Sequence, residues 1–106
     1  MEVKLTKEQV QEFEATHKRV AHLRGKDGDW EVVIRKPTRA EYKQFRSRTH
    51  NPAQVADAQE ILARQCVVYP SRDAFDAMLE DWPGIPEAAG AAFGRLMGLA
   101  AEEDGK

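Results

Sequence analysis

The chain has almost no cysteine. Cys66 stands alone, so no intrachain disulfide framework can form, and a reducing cytoplasm suits it. Long hydrophobic runs are missing too. Nothing approaches the ~20 apolar residues of a membrane span, and the opening M-E-V-K-L-T-K-E lacks the apolar stretch of a signal peptide, so none is expected. Charge of one sign is not in excess: the net charge is −2, which gives no general attraction to nucleic acid. There is no internal repeat and no low-complexity linker. What remains is a chain of 106 residues, 42% hydrophobic and 32% charged. It is long enough for one small soluble domain, 1–106, with a real core.

The patterning predicts an α+β fold. An N-terminal helix and a β-hairpin fill 1–36, about four short helices fill 37–101, and 102–106 form a frayed acidic tail. Thr6 and Gln9 have capping-box spacing, with Leu5 and Val10 placed for a hydrophobic staple. Residues 18–24 suit helix or strand; a strand is preferred because a turn follows. In Gly25-Lys26-Asp27-Gly28-Asp29 two glycines are expected to supply positive φ. Trp30 to Arg35 then reads as the second strand, with Trp30, Val32 and Ile34 on one face and Glu31, Val33 and Arg35 on the other. Val33 on the mixed face implies that this face is partly covered as well.

Pro37 ends the strand, and Thr38-Arg39-Ala40-Glu41 is a second capping box. Its short helix turns Tyr42 and Phe45 inward and Arg39, Lys43 and Arg46 outward. Asn51 and Pro52 are placed to start the next helix. Its apolar arc is expected to run through Val55, Ala58, Ile61, Leu62, Cys66 and Tyr69 to a stop at Pro70. Ser71 caps a helix carrying Phe75, Met78, Leu79 and Trp82. The last helix, from about Pro86 to Ala101, buries Ala89, Phe93, Leu96, Met97 and Ala100.

No set of residues reads as an active site. Cys66 paired with His50 would make a nucleophile and base, but a cysteine on an apolar helical arc is a buried, unreactive thiol. His17, His22 and His50 lack partners at metal-site spacing, and Glu14 with His17 is a single pair. Glu80-Asp81 and Glu102-Glu103 lie where solvent keeps both carboxylates ionised. Gly25 to Gly28 lacks the ending of a phosphate-binding loop.

The basic cluster is sharper. Arg35, Lys36, Arg39, Lys43, Arg46 and Arg48 face only Glu41, six charges against one and a balance of +5. A net charge of −2 then leaves −7 for the rest of the chain. Such a strip suits phosphates, a solvated face, or an acidic protein partner, including the acidic half of a second copy. The inward turn of Tyr42 and Phe45 speaks against base stacking. Gly90, Gly94 and Gly98 repeat every fourth residue, which suggests a helix approaching closely along a slanted line, within the chain or across subunits.

The tract V-V-I-R-K-P-T-R-A-E-Y-K-Q-F-R, then C-V-V-Y-P-S, then W-P-G-I-P and a small-residue helix ending L-M-G-L, resembles the tail assembly chaperone-like proteins of tailed bacteriophages and prophages, which are encoded beside the tape measure protein. The resemblance covers most of the chain after about Val20. It implies a non-enzymatic helper without cofactor or metal, working in the bacterial host cytoplasm. Such a helper binds the aggregation-prone tape measure protein, keeps it soluble during tail assembly, self-associates, and is absent from the finished virion. The alternatives are a structural head–tail or tail component, and a small nucleic-acid-binding module using Arg35 to Arg48. On the protein-partner reading the contact residues are Arg35, Arg39, Lys43, Arg46 and Trp82.

Overall fold

The structure is a computed structural model that describes residues 5–98. It is an α+β fold in which a three-stranded antiparallel sheet lies between one N-terminal helix and a group of four.

Helix α1 (Lys7–His17) begins as its sequence predicts. The Gln9 N–H donates to Thr6 Oγ1 at 3.2 Å, and the Thr6 N–H donates to Gln9 Oε1 at 2.8 Å. It ends at Lys18, whose φ of 67° turns the chain out of the helix. Strand β1 (Val20–Arg24) follows and pairs with β2 (Glu31–Arg35) from Val20↔Arg35 to Arg24↔Glu31, so the extended reading of 18–24 holds for the strand. The glycines of the hairpin turn differ from expectation. Only Gly28 takes a positive φ, 75°. Gly25 is small for another reason: a Cβ there would come within 2.6 Å of the Trp30 indole.

Both faces of β2 are covered. Val32 and Ile34 join the main core, flanked by Ala21, Leu23 and Val67. Val33, on the other face, is also fully buried. That face carries α1, with the rings of Phe13 and Tyr69 6.4 Å apart. Covering a strand on both sides removes its solvated face, which explains why Glu31 to Ile34 are buried without a break.

Helix α2 (Arg39–Thr49) has the second capping box, with Thr38 Oγ1 accepting from the Glu41 N–H and Glu41 Oε1 from the Thr38 N–H. The next helix starts later than predicted. Asn51 Oδ1 accepts from the Ala53 N–H at 2.9 Å and closes a turn. A single 3-10 turn (Val55–Asp57) follows, and α3 is Ala58–Cys66. Val55, expected on the apolar arc, is exposed, at 48%.

Tyr69 is not on that arc either. Val67 already has extended backbone, and Val67–Tyr69 form β3, pairing Val33↔Tyr69 and Ile34↔Val67 across an irregular register. Valine favours strands, and Pro70 disfavours helical geometry at Tyr69. Helix α4 (Arg72–Asp81) is capped by Ser71 and buries Phe75. Helix α5 (Ile85–Leu96) stops short of the predicted Ala101, because Gly98 turns the chain at φ 79°. Ala100 and the acidic tail lie outside the described residues. The core joins both sheet and helices: Val32, Ile34, Leu62, Phe75, Ile85 and Phe93 are its large members.

Candidate functional site

The basic cluster divides once folded. Arg35 points into the structure. Its Nη1 and Nη2 donate to the two carboxylate oxygens of Glu41 at 2.8 and 2.9 Å, and Nη2 also donates to the Gln65 carbonyl at 2.8 Å. That single guanidinium ties β2, the first turn of α2 and the last turn of α3 together, where a cation also suits the helix dipole. Arg35 was expected at a partner surface; its charge is instead neutralised inside the fold. The same pairing holds the Glu41 carboxyl down at about 2.

Cys66 lies beside this clamp, with Sγ 3.9 Å from Glu41 Oε1. Burial pushes its thiol up to about 12; Arg35 opposes that rise and Glu41 adds to it. Each pKa unit is tenfold in thiolate, so at pH 8 the native thiol is expected to react with an aromatic disulfide reagent roughly a thousandfold more slowly than the denatured chain. Equal rates would show an accessible thiolate.

The histidines do not converge. His22 is hydrogen-bonded through Nε2 to Glu31; His17 sits in the last turn of α1 and His50 caps α2. Among the described residues no three His, Cys, Asp or Glu side chains are grouped to hold a metal ion. Glu31 was not singled out from the sequence. Its carboxylate is buried, and it also accepts from the Leu5 N–H and Arg24 Nε. Burial raises its pKa, but the hydrogen bonds from His22, Leu5 and Arg24 outweigh that and hold it below the usual carboxylate range. The anchor fastens the start of α1 to the sheet. Its only local signal was an acidic residue alternating with Val33.

Arg39, Lys43 and Arg46 are exposed along one side of α2 and form no ion pair among the described residues. Arg46 lies over the Tyr42 ring, 5.9 Å from its centroid. Tyr42 and Phe45 are half-buried and stacked on each other at 6.4 Å. Beside them a cavity of about 180 Å³ opens between α2, α3 and α5. Its other walls are Gln59 and Leu62 of α3, Gly90, Phe93 and Gly94 of α5, and Met97 just past the end of α5. Trp82 is elsewhere: it is half-buried against the core at the end of α4 and does not line this cavity. Gln59 is the lining residue missed from the sequence; Gly94 was read in the glycine repeat and Met97 on the core arc, without the cavity they share. The α5 glycine repeat was the visible trace of the close approach that places Gln59 there.

Gly90 shows what that repeat does. A Cβ there would come 2.5 Å from Gln59 Nε2, so α3 and α5 approach closely within one chain. The obstructing atom is the far end of a half-buried, flexible side chain, which can swing aside. Replacing Gly90 by alanine is therefore expected to stabilise the protein by about 0.5–1 kcal/mol through helix propensity. A lower urea midpoint would show that Gln59 cannot move.

Larger clefts are more open and more polar. One of about 330 Å³ lies between α1 and β1, and one of about 450 Å³ lies beside Arg64 and Arg72. Arg64 is already engaged by Asp76 at 2.8 Å, and Arg72 donates to the Arg64 carbonyl. Among the described residues no helix is long and apolar enough to cross a membrane.

The sequence model of a family described as "Domain of unknown function (DUF6848)" matches residues 6–106. No curated protein matches the chain. A solved structure of an uncharacterised protein from Bacillus stearothermophilus is similar to it, with a TM-score of 0.70 at 16% identity, over 92% of this chain and 99% of that one. At that identity the likeness is one of fold.

Proposed function

We propose that this chain, which belongs to the family described as Domain of unknown function (DUF6848), is a non-enzymatic binding protein. We assign it the role of a tail assembly chaperone that holds a tape measure protein soluble in the bacterial host cytoplasm. The observation that carries the reading is the row Arg39, Lys43 and Arg46, uncompensated among the described residues, beside an apolar cavity. A chaperone of this kind needs such a surface, apolar enough to shield a partner helix and charged enough to stay dissolved. The sequence resemblance supplies the identity of the partner.

Co-expression tests the role. The tape measure protein encoded nearby is expected to move from the pellet to the soluble fraction when this chain is present. The gene is expected between those of the major tail protein and the tape measure protein. An insoluble partner together with an unrelated gene neighbourhood would end the proposal. A structural tail protein would instead persist in purified virions. Nucleic-acid binding is the weaker reading of the same row, since Tyr42 and Phe45 are half-buried and stacked on each other rather than standing free as a platform for bases.

A further inference from the structure

We infer that the cavity between α2, α3 and α5 receives one large apolar side chain from a partner helix whose neighbouring residues are acidic. The inference rests on the protein-binding reading above and adds the site and the partner's chemistry.

Size comes first. A cavity of about 180 Å³ is well below the ~300–1,000 Å³ of small-molecule pockets. It is close to the ~150 Å³ that holds a benzene ring. It therefore suits a leucine or phenylalanine side chain rather than a cofactor. The walls are right for that guest: Leu62, Phe93 and Met97 are apolar, and the half-buried rings of Tyr42 and Phe45 complete the lining. Gly90 and Gly94 put no side chain into the cavity, and the Gln59 amide that lies against Gly90 is the polar part of its wall. A side chain of one helix entering a hole in the surface it packs on is the usual geometry of helix pairing.

Charge then selects the partner. On α5 Glu87 and Arg95 offset one another. On α2 Glu41 is consumed by Arg35, which leaves Arg39, Lys43 and Arg46 without a counter-charge among the described residues. Arg46 lies over the Tyr42 ring that lines the cavity. A helix seated there presents its flank to three cations, so carboxylates on that flank are favoured and lysines are repelled.

The test uses the full chain and two labelled peptides of about five helical turns. Both carry phenylalanine at the centre with leucines a turn away; one has glutamates on the flanks and its twin has lysines. The acidic peptide is expected to bind about tenfold more tightly or better than its twin, and to weaken as salt rises. Gly94→Leu fills the cavity and is expected to lower affinity about tenfold, with circular dichroism checking the fold. The double change Lys43→Glu with Arg46→Glu alters only exposed residues and is expected to reverse the preference between the twins. Equal affinities, no binding by either peptide, or displacement of the acidic peptide by a single-stranded oligonucleotide would overturn the inference. Co-expression with the double variant separates the two proposals. If it still solubilises the tape measure protein as well as the original chain, the chaperone role stands and this site falls. If the peptides behave as expected but the original chain does not solubilise that protein, the site stands and the role falls.

Discussion

Replacing Glu41 by glutamine is expected to cost about 3 kcal/mol at pH 7 and almost nothing near pH 2. The carboxyl falls from an ordinary 4.5 to about 2, chiefly through its hydrogen bonds with Arg35. At ~1.4 kcal/mol for each tenfold change in proton affinity, that fall is worth up to about 3.5 kcal/mol, and partial exposure lowers it to about 3. Its side chain is 18% exposed and that of Arg35 23%, so solvent screening removes little of it. The sign follows from the direction of the shift. The folded value lies below the unfolded one, so the stabilisation is complete above about pH 4.5 and disappears as pH falls through about 2. Glutamine keeps the shape and the oxygen that accepts the Thr38 N–H, so the change isolates the charge. Urea unfolding of both proteins at several pH values reads it out. A gap between them that stays constant from pH 7 to pH 2.5 would mean that ionised Glu41 is not its source.

Phe75→Ala is expected to remove about 3–5 kcal/mol. The ring is fully buried in the main core, and α4 contributes no other fully buried side chain. A chain of this size has about 5–15 kcal/mol in all, so the variant is expected to be partly unfolded at 37 °C. The denaturant midpoint should drop while the slope stays constant. Phe75→Leu retains most of the volume and is expected to lose about 1–1.5 kcal/mol. If the alanine variant lost no more than the leucine one, the pocket around Phe75 would have to collapse without leaving a void.

The parts of this fold legible in the sequence are those determined within a few residues. Thr6 with Gln9 and Thr38 with Glu41 made both capping boxes as read, because each needs only a turn of local backbone. The hairpin was legible because its strands flank one short turn. Strand β3 was not. Cys66 and Tyr69 sit three apart and look in phase on a helix, while three residues are too few for an alternating signature. Their pairing depends on Val33 and Ile34, more than thirty residues away in the chain. Tyr69 before Pro70 was the usable clue.

The basic strip shows the same limit. Composition makes Arg35 and Arg39 equivalent, yet one is clamped by Glu41 and the Gln65 carbonyl while the other is exposed. Only the packing of α3 against β2 distinguishes them. The cavity was half-legible: Tyr42 and Phe45 were read on the inner side of α2, but which residues they meet depends on how α5 crosses α3.

Strand β2 has a neighbour on each edge and a cover on each face. Its backbone amides can therefore trade protons for deuterium only when the whole domain opens. Val33 and Ile34 become a built-in gauge of global stability, readable without any added label. A partner that binds only the folded chain and is present at about a hundred times its dissociation constant should slow their exchange roughly a hundredfold. That slowing would register occupancy of the helical face from the sheet beneath it.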